Sequence, residues 1–268
     1  MTAEGRDPID EAALRERVLG RQGEWRRVDV VAETGSTNAD LVARAAAGED
    51  VGGSVLIAEH QTAGRGRQGR TWHDSPGALI TMSVGVDAAA VPADDWGWLP
   101  LATGIAIVDT VTALGGAGAG LKWPNDVLVS GRKLAGILAE VAAPQRVVVV
   151  GVGLNVTLRP DEVDAPEATA LADLGVGTSD RGVIVAELLG HLGARIAAWQ
   201  RRGSTDLMDD YRSRCLTLGS RVRAILPDGN EVVGMAVDVD SHGRLRIDRD
   251  GEAVLVSAGD VVHLRPAT

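Results

Sequence analysis

Two lysines stand out because every other basic residue of the chain is an arginine. Of the 27 lysine and arginine residues, Lys122 and Lys133 are the only lysines. A lysine ammonium is a compact point charge with three donors on a slim stem, whereas a guanidinium is wide and planar. A position that keeps lysine in so arginine-rich a chain is expected to need the compact charge. The pair therefore marks a candidate site, unless two lysines merely escaped a coding bias.

Both lysines lie next to residues that can take part in chemistry. Lys122 begins the segment KWPND, residues 122–126, in which a proline-fixed bend is followed by an amide and a carboxylate. Lys133 follows on the second strand of a predicted hairpin, so strand pairing can bring both lysines to one patch. Asn125 and Asp126 suit Mg²⁺ or the amine of an incoming nucleophile. Asp126 alone fits a turn carboxylate at the mouth of the hairpin equally well.

A loop rich in glycine and arginine, residues 61–77, separates two predicted strands. Its centre, GRGRQGR at 64–70, matches the dinucleotide-binding string, but the chain does not continue into a helix as a Rossmann turn requires. Glycines let a backbone approach an anion closely, and guanidinium groups bind phosphate or carboxylate in a bidentate manner. We therefore predict a lid that closes on a phosphate-bearing ligand, with a solvated surface loop as the alternative. No Walker A motif occurs, which excludes a P-loop enzyme.

Two further polar motifs lie at the ends of predicted elements. The triplet Ser36-Thr37-Asn38 begins an alanine-rich helix, where it can cap the helix, bind a ligand, or do both. The segment GVGLN, residues 151–155, ends a valine-rich central strand with Asn155, where a ligand cleft is expected. Taken alone, this asparagine is more often a turn residue.

The composition excludes several classes of protein. The 268 residues are 45% hydrophobic and 24% charged, which is typical of a folded globular chain. A net charge of −10 disfavours a wrapped DNA or RNA partner. The single cysteine, Cys215, excludes an intramolecular disulfide and a four-ligand zinc site of the usual kind, and is interpreted as a core residue. Because no apolar run has the length of a signal peptide or membrane span, we expect a soluble, cytoplasmic protein.

Hydrophobic periodicity predicts the elements that must position these residues. Helices are predicted over 9–19, from a cap at 36–38 to about 47, over 98–114 and over 183–200, and strands over 28–32, 54–58, 79–86, 121–123, 126–129, 134–141 and 146–156. From about residue 216 the pattern changes to short β-like runs separated by glycine turns. The sequence thus predicts an α+β fold, with a mixed or antiparallel sheet covered by helices over residues 1–215 and a small C-terminal β-barrel domain over 216–268.

Together these motifs resemble those of the biotin protein ligases. They occur in the family's order as ETGSTN at 33–38, QTAGRGRQGRTW at 61–72, KWPND at 122–126, KLAGIL at 133–138 and GVGLN at 151–155, and the C-terminal β region matches the family's second domain. The resemblance implies a catalytic domain like that of class II aminoacyl-tRNA synthetases, with ATP and Mg²⁺ as cofactors and biotin as substrate. The biotin carboxylate would attack the α-phosphate of ATP to give biotinyl-AMP and pyrophosphate. A lysine of the biotin carboxyl carrier domain of an acyl-CoA carboxylase would then displace AMP.

The resemblance also implies roles for individual residues. Biotin would be bound by Ser36, Thr37, Asn38, Gln61, Arg65, Gly66, Arg67 and Lys133. The nucleotide would be bound by Arg67, Arg70, Trp72, Lys122, Asn125 and Asn155. The catalytic candidates are Lys133, Lys122 and Asp126, with Lys133 bridging the biotin carboxyl oxygen and the α-phosphate, and Asp126 receiving or orienting the acceptor amine. Magnesium would enter with the ATP phosphates, with Asn125 or Asp126 as candidate ligands.

Two alternative functions stay open at this point. A lipoate–protein ligase or octanoyltransferase would share the fold, although the loop at 64–70 and the C-terminal β domain favour biotin. A non-catalytic biotin or nucleotide sensor would keep the pocket, but both lysines and the loop arginines are present. About 27 residues precede the first strand, too few for the winged-helix domain of family members that repress transcription. We therefore expect a monofunctional ligase, a monomer or weak homodimer, with no DNA or membrane partner.

Overall fold

The computed structural model describes residues 6–19, 25–143, 146–159, 161–163, 165, 167–226, 228–257 and 260–263. Within these ranges the chain forms helices packed on a seven-stranded sheet, followed by a five-stranded antiparallel sheet. The predicted α+β fold with a second, smaller β region is confirmed. The ends of both predicted domains, residues 1–5 and 264–268, lie outside the described residues.

The large sheet contains the first seven strands of the chain. They are β1 (Arg27–Val31), β2 (Ser54–Ala58), β3 (Leu79–Asp87), β4 (Ala119–Lys122), β5 (Asp126–Val129), β6 (Arg132–Ala142) and β7 (Val147–Asn155). Their order is β1-β2-β3-β7-β6-β5-β4, with β1 parallel to β2 and the other neighbours antiparallel. The central strands β3 and β7 are buried along almost their whole length, which explains their continuous apolar sequences.

Helices cover both faces of this sheet. They are α1 (Glu11–Leu19), α2 (Thr37–Ala46), α3 (Trp98–Ala113), α4 (Arg181–Arg202) and α5 (Met208–Arg214), of which only α5 has no counterpart among the predicted elements. The apolar face of α2 joins a small cluster with residues of β2, β6 and β7, whereas α3 and α4 pack in the main core on the other face. The N-terminus of α2 therefore lies on the opposite side of the sheet from α3.

Helix α4 is, in the described part of the chain, the one helix long and apolar enough to cross a membrane. It has 22 residues, more than the sequence predicted, and an 18-residue window of it has a mean hydropathy of 1.3. Its buried residues pack against α3 and α1, and its middle carries Glu187, His191 and Arg195. A core helix passes the same test, so the finding is weak evidence for a membrane span and we interpret α4 as a core helix.

The C-terminal sheet is held against the large domain by tryptophan side chains. Its strands are β8 (Arg221–Ile225), β9 (Glu231–Val239), β10 (Leu245–Arg249), β11 (Glu252–Val256) and β12 (Asp260–His263), in the order β11-β10-β9-β8-β12. Among the described residues the two outer strands do not pair with each other, so the sheet is open there. The indoles of Trp98 and Trp123 donate hydrogen bonds to the carbonyls of Ser241 (2.8 Å) and Gly243 (2.9 Å) in the turn between β9 and β10. The predicted boundary at 215/216 falls where Cys215 bridges to Leu121, at a seam between the two regions, and stays a prediction.

Candidate active site

A cavity of about 530 Å³ opens on the face of the large sheet that carries α2. Its walls come from the N-terminus of α2, the loop at 64–70, strands β3, β6 and β7, and the segment after β7. Every predicted site residue except Lys122 lines it: Ser36, Thr37, Asn38, Gln61, Arg65, Gly66, Arg67, Arg70, Trp72, Asn125, Asp126, Lys133 and Asn155. The fold thus brings residues from five separate motifs to one concave site of a size suited to a small ligand.

The α2 end of the cavity is polar and almost fully buried. The Ser36 hydroxyl caps α2 by accepting a hydrogen bond from the Ala39 amide, while the same residue lines the cavity, so both roles considered for this triplet are compatible. The Thr37 amide donates to Gln61 Oε1 (2.9 Å), which turns the Gln61 side-chain nitrogen away. That nitrogen has no hydrogen-bond acceptor among the described residues. The cavity therefore offers a donor from Gln61 at its polar end.

Three more polar side chains continue this network. The Thr37 and Ser83 hydroxyl oxygens are 2.7 Å apart, and Ser83 donates to Asn38 Oδ1 (2.6 Å). Asn38 Nδ2 donates to the carboxylate of Glu140 at 2.9 Å. Sequence reasoning missed Ser83 and Glu140. The available signal was the spacing of Thr81 and Ser83 on β3, because two polar residues at alternate positions of an otherwise apolar strand share one face.

Lys133 lies at the other end of the cavity, between an aromatic ring and a carboxylate. Its ammonium is 2.7 Å from Asp126 Oδ1 and 5.4 Å from the centroid of the Trp72 ring. A Cβ at Gly136 would lie 2.8 Å from that ring and 3.1 Å from Lys133 Nζ, so glycine there leaves the room that both side chains occupy. A Cβ at Gly153 would also collide with the Trp72 ring. These glycines, which the sequence analysis did not interpret, shape the cavity.

The glycine–arginine loop, residues 64–70, forms one wall. Its backbone closes on itself, with the Gly66 amide donating to the Arg70 carbonyl at 2.7 Å, and Gln68 adopts a left-handed φ of 55°. The Arg65 guanidinium pairs with Glu140 at 2.9 Å, and Arg67 donates to Asn125 Oδ1 at 3.1 Å. The loop is thus attached by its arginines to β6 and to the segment KWPND, next to the Lys133 end.

Asn155 and Lys122, both predicted as nucleotide ligands, lie in different surroundings. The Asn155 amide nitrogen donates to the carbonyls of Lys133 (3.2 Å) and Thr169 (2.9 Å), so in this structure it ties β6 to the segment after β7 while lining the cavity. Lys122 lies outside the cavity lining. Burial, and then the nearby charge of Lys122, lower the pKa of His263 in the C-terminal sheet. The roles of both residues stay predictions.

Protein groups that could hold a metal are few at this site. The described residues contain no group of three or more His, Cys, Asp or Glu side chains arranged for a metal ion. Asn125 Oδ1 accepts from Arg67, its amide nitrogen donates to the Ile137 carbonyl, and Asp126 pairs with Lys133. Among the described residues this donor set does not build a resident magnesium site, and the entry of magnesium with the ATP phosphates stays a prediction.

Comparison with known proteins first identifies the class. The sequence model described as the biotin/lipoate A/B protein ligase family matches residues 34–156, and that of the biotin protein ligase C-terminal domain matches residues 217–264. The chain is 59% identical over 263 residues to the biotin–[acetyl-CoA-carboxylase] ligase of Mycobacterium tuberculosis, a match that covers 97% of each chain. It is 32% identical over 221 residues to the bifunctional ligase/repressor BirA of Escherichia coli, covering 81% of this chain and 67% of that one.

The solved structures agree at the level of the fold. The biotin protein ligase from Aquifex aeolicus in complex with biotin and ATP has a TM-score of 0.78 at 23% identity, covering 90% of this chain and 100% of that one. The fold is thus that of a protein ligase of the biotin/lipoate class. With the extended match to the mycobacterial ligase and the matching C-terminal domain, the chain belongs to the biotin protein ligases.

Proposed function

We propose that this protein attaches biotin to a lysine of the biotin carboxyl carrier domain of an acyl-CoA carboxylase, in an ATP-dependent reaction through biotinyl-AMP. The observation that carries the proposal is one cavity with a buried polar end at Thr37 and Gln61 and an ammonium, Lys133, at the other end. A bicyclic urea joined by a chain to a carboxylate has the matching order of groups.

The first step requires two anions to meet. The carboxylate oxygen forms a bond to the α-phosphorus while the bond from that phosphorus to the bridging oxygen of pyrophosphate breaks. We assign Lys133 to the charge that develops between them, because a compact cation placed in advance lowers the barrier without reorganisation. Arg67 and Arg70 of the cavity wall would neutralise the phosphates, with Trp72 beside the nucleotide.

The second step requires a neutral acceptor amine. The lysine nitrogen bonds to the acyl carbon, AMP leaves with the electrons of the acyl–oxygen bond, and the amine passes a proton to solvent water. We assign the orientation of this amine to Asp126, which lines the cavity 2.7 Å from Lys133. When Lys133 turns to the phosphate, its partner carboxylate is released to accept a hydrogen bond from the incoming amine.

The polar end of the cavity argues against lipoate or octanoate as the preferred acid. Neither has a donor or acceptor group at the end remote from its carboxylate. The Gln61 side-chain nitrogen and the free lone pair of the Thr37 hydroxyl would then be left without a partner, and unpaired buried polar groups are strongly unfavourable.

The test is pyrophosphate release from ATP with biotin, lipoate or octanoate, followed by transfer to a purified carrier domain. We expect release and transfer with biotin at far higher kcat/KM than with the other acids. Binding of biotin without pyrophosphate release would support a sensor instead. Preference for lipoate would overturn the assignment of the polar end.

We further propose that the protein acts in the cytoplasm, as a monomer or weak homodimer, with no DNA or membrane partner. The net charge of −10 supports the absence of DNA and anionic membrane partners, because both are polyanions. Sedimentation of the purified protein with and without biotin and ATP tests its oligomeric state.

A further inference from the structure

A continuous chain of hydrogen bonds connects the cavity to a carboxylate outside it. The chain runs from Thr37 through Ser83 and Asn38 to Glu140 on β6, with distances of 2.7, 2.6 and 2.9 Å. Thr37, Ser83 and Asn38 line the cavity and are buried, whereas Glu140 is not part of the lining. Glu140 therefore acts on a ligand only through Asn38 and through its second partner, Arg65.

The groups at the ends of this chain decide which atom donates and which accepts in each of its hydrogen bonds. A carboxylate accepts hydrogen bonds and has none to donate, so the Asn38 nitrogen must face Glu140. The same nitrogen donates to the Leu138 carbonyl at 3.2 Å, which also fixes the amide orientation. Asn38 Oδ1 is thereby turned to Ser83 and accepts its only hydroxyl proton. Ser83 has no proton left for Thr37, so in their 2.7 Å contact Thr37 must be the donor.

The consequence for a ligand lies at the Thr37 hydroxyl. This oxygen also lies 3.1 Å from Gln61 Oε1, which can only accept, so its one proton is used inside the protein, on Ser83 or on Gln61. Toward the cavity it can then only accept a hydrogen bond, while Gln61 Nε2 can only donate one. An acceptor beside a donor is complementary to a urea, whose N–H donates and whose carbonyl accepts.

We propose that Glu140 is a positioning residue. It fixes which side chains donate and which accept in this chain of hydrogen bonds, and so makes the enzyme select ligands with a urea N–H. The inference deepens the proposed function and rests on it. Removing the carboxylate leaves the Leu138 carbonyl as the remaining acceptor for Asn38, so the preferred direction is weakened rather than lost. Glu140 also holds Arg65, so the experiment must separate an effect on proton direction from an effect on the loop.

Two substitutions make this separation. Glu140→Gln keeps a carbonyl oxygen for the Asn38 nitrogen and loses the charge that pairs with Arg65. Glu140→Met keeps most of the side-chain volume and loses both interactions. Glu187→Met, an acid-to-methionine change at a half-exposed position of α4 away from the cavity, is the control. Thermal unfolding of each variant establishes that it is folded.

The readout compares biotin with biotin methylated on its urea nitrogens, using pyrophosphate release to obtain KM and kcat. Wild type and Glu187→Met should strongly prefer biotin. In Glu140→Met the KM for biotin should rise by up to about tenfold, the loss expected for one neutral hydrogen bond between the ligand and Thr37, while kcat changes little. The KM for the methylated ligand should hardly change, so the preference shrinks, and Glu140→Gln should stay within about threefold of wild type for biotin.

Two results would overturn the inference. An equal rise of KM for both ligands in Glu140→Met would indicate a general structural role. If the KM for biotin rose as much in Glu140→Gln as in Glu140→Met, the effect would come from the lost ion pair with Arg65 and not from the direction of the hydrogen bonds. If wild type released no pyrophosphate with biotin, the proposed function itself would fail, and this outcome is distinct from both.

Discussion

Replacement of Lys133 by arginine tests the proposed charge at the reaction centre. The change keeps the positive charge but places it on a wider group. Lys133 Nζ is 2.7 Å from Asp126 and 5.4 Å from the Trp72 ring centroid. It packs so closely on Gly136 that a Cβ there would lie 3.1 Å from it. A planar guanidinium cannot occupy this position without moving its charge on the order of 2 Å.

This displacement predicts how much adenylation is slowed. Moving a unit charge from about 3 Å to about 5 Å from an anion weakens their attraction by about 2 kcal/mol at an effective dielectric constant of about 20. A barrier increase of about 1.4 kcal/mol slows a reaction tenfold, so one anion accounts for roughly 30-fold. Because Lys133 would serve both the carboxylate and the α-phosphate, we expect Lys133→Arg to slow adenylation by on the order of 10²-fold or more.

The assay is single-turnover formation of biotinyl-AMP, so that product release does not mask the chemical step. Lys122→Arg, the same change at a lysine outside the cavity lining, provides the comparison and should lose less activity. Adenylation by Lys133→Arg at a wild-type rate, with an unchanged melting temperature, would refute the assigned role. An equal loss in both variants would place Lys122 at the reacting groups when ligand is bound.

Four further predictions follow from particular contacts. Trypsin should cut within the loop at 64–70 in the free protein, and biotin with ATP should suppress these cuts more than others, because the anionic groups of the ligand would add charge-assisted hydrogen bonds to the loop arginines. Arg6 holds the pKa of Glu162 at about 2 through a bidentate hydrogen bond, so Arg6→Met should lower the free energy of unfolding by on the order of 1–3 kcal/mol at pH 7. That difference should shrink as the pH falls from about 4.5 toward 2, because the depressed pKa stabilises the folded state only while Glu162 is ionised, and the remainder belongs to the hydrogen bonds of Arg6 with Thr157. Thr217→Val leaves the buried Trp123 amide without its acceptor (3.0 Å) and should lower the free energy of unfolding by about 1–3 kcal/mol, whereas Thr217→Ser should not. Gel-shift assays should detect no sequence-specific DNA binding by this chain, given its charge of −10.

Each of these predictions has a result that contradicts it. Equal tryptic cleavage of the loop with and without ligand would show that it is not a lid. If the loss of stability in Arg6→Met did not change with pH, it would not come from the ion pair with ionised Glu162. If Thr217→Val were as stable as Thr217→Ser, the hydrogen bond from the Trp123 amide would not contribute to the free energy of unfolding. A salt-resistant shift on one promoter fragment and not on scrambled DNA would demonstrate specific binding.

The sequence by itself determined the class of fold and many of the polar residues that line the cavity. Continuous apolar runs predict the buried strands β3 and β7, because a strand covered on both faces has no solvent side to alternate with. Ser36 is recognisable as a cap because capping depends on the residues of one helical turn. The scarcity of lysine pointed to Lys133, and the arginine loop was evident from its composition. These signals are local, so they can be read without knowing which segments meet.

Only the tertiary structure decided which long-range partners these residues have. Lys122 and Lys133 were expected in one patch, yet strand register and the packing of the C-terminal sheet leave only Lys133 in the cavity. Ser83 lies on β3 and Glu140 on β6, and neither segment contains a motif that indicates their connection through Asn38. Side-chain hydrogen bonds extend only about 3 Å, so they depend on how distant strands align, and that alignment is fixed by the packing of the whole chain.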